Sequence, residues 1–165
     1  MMDIVDKETR SRMMSGIRGK NTTPELLIRR ALHSRGFRYL LHSPNLPGKP
    51  DMVFPKYRAV VFVHGCFWHA HNCKYFKLPR SRTEFWREKL QKNKQRDEVA
   101  LEAVLALGWR VLLIWECATR EFRVGRGADV FIETVSQWIT SEAPSAEIGI
   151  DGQLCTLTPV DTISL

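Results

Sequence analysis

Two thiols and two imidazoles fall within eight residues, Cys66-Phe67-Trp68-His69-Ala70-His71-Asn72-Cys73, and a third thiol, Cys117, follows at the end of a predicted strand. Thiolate and imidazole are the donors zinc prefers in tetrahedral sites, and a metal held by them would tie a loop to a strand some forty residues on. No other feature restricts the fold as much. The spacing Cys-x4-His-x-Cys with a remote Cys is not one of the common finger spacings. With His71 as the fourth ligand, Cys66, His71, Cys73 and Cys117 close a structural Cys3His site, leaving His69 free. The alternative is that the thiols are small buried hydrophobes, a common fate of free Cys. Cys155, in a polar stretch near the C-terminus, is left as a spectator.

A chain of 165 residues is long enough for one domain with one real core and short for two. We expect a basic N-terminal arm over 1–20, a globular domain over 21–141 and a polar tail over 142–165. The net charge of +7 is unevenly spread: 12 Lys and Arg face 5 Asp and Glu in residues 1–58, 9 face 4 in 59–100, and 4 face 9 in 101–165. A basic front half with an acidic end suits a polyanion whose phosphates lie along one face. No run of about 18 apolar residues occurs and the first ten residues are polar, so the expectation is a cytosolic protein without a membrane partner. Cysteines in such a compartment point to metal ligation or free thiols more than to disulfides.

Thr23-Pro24-Glu25 opens a helix with a hydroxyl at its cap, proline in the first turn and a carboxylate near the positive end, and Gly36 closes it. Phe37–Leu41, Met52–Phe54 and Ala59–Val63 are expected as strands, the last two adjacent and buried. A long helix spans Thr83 to Leu107 and stops at Gly108. Trp109–Trp115 reads as a strand and Asp129–Thr140 as a last helix, after which the pattern fades beyond Glu142. This order argues for an α/β fold, a mixed sheet flanked by helices.

Several polar residues stand where apolar ones belong. Asp51 begins a buried strand, a costly place for a carboxylate without a partner, and magnesium, which takes hard oxygen ligands, would be such a partner. In the long helix Leu90, Asp97, Leu101 and Val104 share a face, so Asp97 points with the core side chains and would fix the tautomer of a histidine from the 64–71 loop. Glu25 shares a face with Ile28 and Leu32, as a functional group or a helix-dipole carboxylate. His64 closes its strand beside Gly65, placed to act on water or on a phosphate. Each of these has a bland reading as a turn or packing residue, and it is their concentration that favours function.

These stretches resemble the very short patch repair endonucleases, mismatch-nicking enzymes related to the restriction-endonuclease fold. The resemblance is carried by DKETRSRMMSGIRGKNTTPE, LPGKPDMVFPKYRAVVFVHGCFWHAHNC, RTEFWREKLQKNKQRD and LGWRVLLIWEC, most of residues 6–117. It implies an endonuclease that nicks one strand of duplex DNA at a T:G mismatch arising from 5-methylcytosine deamination. It also implies a catalytic centre with Asp51 and the Val63 carbonyl as magnesium ligands and His64 and His69 near the scissile phosphate, His69 being the better base. Asp97 and Glu25 would support them, with zinc on Cys66, His71, Cys73 and Cys117. Phe67, Trp68 and Trp86 correspond to an aromatic wedge driven into DNA beside the mismatch, and Met14 to an apolar probe from the N-terminal arm. Such a wedge opens a mismatched step at less expense than a paired one. Lys89 is expected on the surface as a phosphate contact. The expected partner is duplex DNA bound by a monomer, in the bacterial cytoplasm and at the nucleoid during repair, alongside other repair proteins.

Two departures stand out. Position 63 is Val, where the best-known members carry Thr, and the Glu-x-Lys that restriction nucleases place after Pro-Asp is missing at Val61–Gly65, leaving histidines to do the lysine's work. The competing readings are a double-strand restriction endonuclease of the same fold and a zinc-stabilised DNA-binding module without catalysis. The second of these leaves Asp51 and Asp97 unexplained.

Overall fold

The structure, a computed structural model, describes residues 6–17, 19–122 and 126–157. Parts of the expected arm (1–5 and 18) and tail (158–165) lie outside these residues. Six strands form one sheet in chain order: β1 (Leu40–Leu41), β2 (Met52–Phe54), β3 (Ala59–His64), β4 (Arg110–Trp115), β5 (Ala146–Ile148) and β6 (Leu154–Thr156). The two hairpin-like ends are antiparallel and the centre, β3–β4–β5, is parallel. A parallel pair needs a crossover. Helix α3 (Thr83–Ala106) connects β3 to β4, and α4 (Glu116–Glu121) with α5 (Arg126–Thr140) connects β4 to β5.

The strands alternate, as period-two elements between two helical layers must. Met52, Phe54, Ala59, Val61, Leu112 and Ile114 pack on Ile28 and Leu32 of α2 (Thr23–Ser34) and on Phe131, Val135, Trp138 and Ile139 of α5. Val53, Val60, Phe62 and Val111 face Val104 and Leu101 of α3 on the other side. Arg110 ties the crossovers together: its guanidinium donates to the carbonyls of Trp138, Ile139 and Ala143 at 3.1, 2.9 and 3.0 Å, satisfying the end of α5.

Three details differ from the sequence reading. The cap of α2 is Thr22, one residue earlier, with the Thr22 N–H donating to the Glu25 carboxylate at 3.3 Å. The first strand shrinks to Leu40–Leu41, both exposed at the sheet edge. The region after Glu142 supplies β5 and β6, with Ala146 and Ile148 buried; three-residue strands are too short to declare themselves by alternation. At the other end α1 (Lys7–Ser15), capped by Asp6, buries no residue, and Met14 is 40% exposed on it. No described helix is long and apolar enough to cross a membrane.

Candidate functional site

The central parallel pair sets the site. Its register places His64 opposite Trp115, so that the chains leave the sheet side by side and Cys66 and Cys117 meet just beyond it. The Cys117 N–H donates to the Cys66 sulfur at 3.3 Å, and His71 Nδ1 lies 3.5 and 3.6 Å from the sulfurs of Cys66 and Cys117. The donor atoms of Cys66, His71, Cys73 and Cys117 all fall within 4.8 Å of one another. That suits a tetrahedral ion with sulfur about 2.3 Å away. The His71 ring is locked by stacking on Trp115, with centroids 4.0 Å apart and planes within 4°. A hydrogen bond from Cys117 holds the Cys66 thiol down to about 4, and the same bond with burial pushes Cys117 up.

A second group lies between the end of β3 and α3. His69 Nδ1 is in hydrogen-bond contact with Asp97 Oδ2, and the His64 ring stacks on His69 with centroids 3.8 Å apart. A carboxylate accepts, so it is Nδ1 of His69 that donates, and Nε2 is the ring nitrogen that Asp97 does not engage. Burial drives the His64 ring well below its ordinary pKa, with His69 adding to the effect, so His64 stays neutral. Asn93 fastens the loop to α3 by donating to the Trp68 carbonyl at 2.9 Å. The shared face expected for α3 is seen: Leu90 and Val104 are buried and Asp97 reaches the histidine between them along the helix.

The third group gathers around Asp51. Its Oδ2 accepts from the Val63 N–H at 2.7 Å. Burial, with Glu25 nearby, pushes this carboxyl up to about 7, partly countered by the Val63 hydrogen bond and by Arg29 and His69. Glu25 is 1% exposed, in contact with the guanidinium of Arg29, and 3.0 Å from His42 Nε2. The oxygen of Glu25, the nitrogen of His42 and the oxygen of Asp51 again lie within 4.8 Å. The approach of this loop depends on Gly48, at φ 70°: a Cβ there would sit 2.9 Å from that of Ala100 on α3. Neither His42 nor Arg29 was singled out by the sequence. Arg29 had one signal, its position four residues after Glu25 on a helix, whereas nothing local distinguishes His42.

Phe67, Trp68 and Trp86 do come together: Phe67 meets Trp68 and Trp86 edge-on at 5.1 and 5.3 Å, all three half-buried. Lys89, expected as an exposed phosphate contact, is instead half-buried and sits 5.4 and 5.5 Å from the Trp86 and Trp68 rings. It covers the aromatics by cation–π contact. Phe85, 44% exposed, extends the same surface. Met14, on α1, is separate in the chain and exposed, and Cys155 is exposed and apart from the thiol cluster.

A sequence profile of the family described as DNA mismatch endonuclease Vsr matches residues 2–75. The chain is 43% identical over 152 residues to the DNA mismatch endonuclease Vsr of Escherichia coli (strain K12), covering 92% of this chain and 97% of that protein. It is 48% identical over 117 residues to the type II nicking enzyme V.XorIIP of Xanthomonas oryzae pv. oryzae, covering 71% and 86%. It is also 43% identical over 129 residues to the type II nicking enzyme V.NmeAIP of Neisseria meningitidis, covering 76% and 90%.

Proposed function

The chain belongs to the Vsr family of DNA mismatch endonucleases, and on that premise we propose that it nicks one strand of duplex DNA at a T:G mismatch, initiating very short patch repair. The observation that carries the chemistry is a histidine held by a carboxylate, His69 on Asp97, in the loop that follows the strand whose Val63 N–H holds the half-buried carboxyl of Asp51.

Asp51 and the Val63 carbonyl are the residues that would hold magnesium, the hard oxygen donors it selects. A carboxyl raised to about 7 by desolvation is one whose charge a cation would restore. Bound there, magnesium supplies Lewis-acid stabilisation of the charge developing on the phosphate. His69 does the proton work: its Nε2 lone pair takes a proton from the attacking water, and Asp97 stabilises the imidazolium that results. His64, kept neutral by burial, stacks on that ring and holds its plane. Glu25 lies behind Asp51 and adds negative charge to the site. The thiol cluster is the site for a structural zinc: four protein donors leave no open position for substrate.

Recognition falls to Phe67, Trp68 and Trp86 as a wedge opened into the stack beside the mismatch, with Met14 as an apolar probe and the basic front half as phosphate contact. The expected arm over 1–20, whose described part is an exposed helix, would bring Met14 to the DNA. A restriction-endonuclease-like core, a monomeric state and action in the cytoplasm complete the reading.

The test is cleavage of supercoiled plasmid carrying a single T:G pair, with and without magnesium. Nicked circles formed only with the mismatch and the metal are expected. Linear product would mean a double-strand endonuclease, and no product with intact DNA binding would mean a binding module.

A further inference from the structure

We propose that Glu147, on the hairpin of β5 and β6, is a positioning residue for the thiol cluster: its carboxylate holds the indole of Trp115, and the indole holds the ring of His71. The inference rests on the reading of Cys66, His71, Cys73 and Cys117 as a zinc site. Register supplies the first step. β5 pairs parallel with β4, Glu147 opposite Leu113 and Ile148 opposite Ile114. Side chains alternate along a strand, so Glu147 shares a face with Leu113 and with Trp115, two residues on. Trp115 is only 9% exposed, and its one polar atom, the Nε1–H, needs an acceptor there. Glu147 Oε2 supplies it at 2.9 Å. An indole N–H only donates, so the direction of this bond is fixed.

The indole supplies the second step. The His71 ring lies flat on it, with centroids 4.0 Å apart and planes within 4°, and in that plane its Nδ1 is 3.5 and 3.6 Å from the sulfurs of Cys66 and Cys117. The imidazole keeps its plane only while the indole keeps its own. The rest of the hairpin closes the site around them. Gly149 borders the outer edge of the imidazole, where a Cβ would lie 3.9 Å from Cε1 and 4.0 Å from Nε2. Ile150 packs against the cluster of Cys66, Trp115 and Cys117. Gly152, at φ 71°, donates its N–H to the Gly149 carbonyl at 3.0 Å, and a Cβ on it would meet the Phe122 ring at 2.5 Å, so the turn is seated on the residue that ends α4. The segment expected as a polar tail is thus one wall of the metal site. Loss of a group that orients a metal ligand without touching the metal typically costs about 10–100-fold in metal affinity or activity.

The test compares Glu147→Leu and Glu147→Gln with the wild type, each also in a Trp115→Phe background, as full-length proteins. Zinc affinity is read by competition with a chromophoric chelator, and the geometry of the cluster from the visible absorption of the Co2+-substituted proteins. Glu147→Leu, which removes the acceptor at similar volume, should weaken zinc binding by about 10–100-fold and shift the Co2+ d–d bands. Glu147→Gln, whose amide oxygen still accepts from the indole, should keep the wild-type spectrum and recover most of the affinity. In Trp115→Phe, which keeps a ring to stack but has no N–H, Glu147→Leu should add nothing. Wild-type affinity in Glu147→Leu overturns the proposal. Equal losses in Glu147→Leu and Glu147→Gln overturn it too, by making the effect one of charge, as does an undiminished loss in the Trp115→Phe background, by making it one of strand packing. The comparison of Glu147→Gln with Glu147→Leu decides if the Trp115→Phe protein does not fold. A wild type without a sulfur-to-Co2+ charge-transfer band breaks the zinc reading and the proposal with it, whereas that band in every protein with unchanged zinc affinity breaks only the role of Glu147.

Discussion

Two donor clusters hang from the same strand end, three residues apart, and they differ in the hardness of their donors. The N–H of Val63 holds Asp51, in a group of carboxylates, histidine and arginine. Cys66 begins a group of three thiols and one imidazole. The thiol group is closed: its four donors converge, and its histidine is clamped by Trp115, whose indole N–H in turn donates to Glu147 at 2.9 Å. The carboxylate group offers two carboxylates and one imidazole, and burial desolvates its Asp51 carboxyl. A closed soft-donor site binds tightly and stays inert, while an open hard-donor site binds weakly and admits substrate. Their proximity has a mechanical meaning. The loop that carries His69 begins at Cys66 and ends at Cys73, so the thiol group fixes both ends of the segment that presents His69 to Asp97.

The largest effect should come from breaking the closed site. Cys117→Ser should abolish zinc in elemental analysis, lower the melting temperature and take nicking with it, because coordination energy is folding energy in such sites. Full activity in zinc-free, well-folded protein would separate the two clusters entirely. Asp51→Ala should abolish nicking while T:G binding survives in a gel-shift assay, since holding a cation and holding DNA are different roles.

The same carboxyl gives a pH signature. Its folded pKa of about 7 lies above the ordinary 3.8, so the native state retains a proton that the unfolded chain releases. In chelator, stability should therefore fall as pH rises from about 4 to about 7 and level off above. Asp51→Asn should remove that fall, a difference on the order of a few kcal/mol at pH 8 by urea titration. A pH-independent difference between the two proteins would place Asp51 in a better-solvated setting.

For His69→Ala the expected loss in single-turnover nicking is about 10²–10⁴-fold, the range of a general acid–base group. An effect below about tenfold would move the role to His64. The smallest effect should be in selectivity. Trp68→Ala should weaken binding to a T:G duplex by about 1–3 kcal/mol, the worth of one base stacked on an aromatic ring, and leave the paired duplex nearly unchanged. Equal weakening of both, across a salt series, would make Trp68 part of the packing that joins it to Phe67 and Trp86.

Side-chain chemistry and helical period are properties of local sequence, and they were legible. Two thiols and two imidazoles in eight residues make a candidate soft-metal site whatever the fold. The spacing of Leu90, Asp97 and Val104 puts a carboxylate on a buried face of any helix that forms there, and α3 does. Strands β2 and β3, and with them the half-buried place of Asp51 at the start of β2, followed from continuous apolar runs. Pairing across the sheet was not legible, because register belongs to two segments at once and a shift of one residue turns every side chain to the other face. The parallel ladder that ends on His64 and Trp115 brings Cys66 to Cys117, and the edge ladder Leu41–Met52 brings His42 to Asp51. β5 and β6 exist for the same reason. Their few residues carry no period of their own, and they become strands by pairing with β4 and with each other. The sequence by itself determined which donors this protein has; the tertiary structure decided which of them meet, since only the hydrogen-bonded register of the sheet fixes distances between residues far apart in the chain.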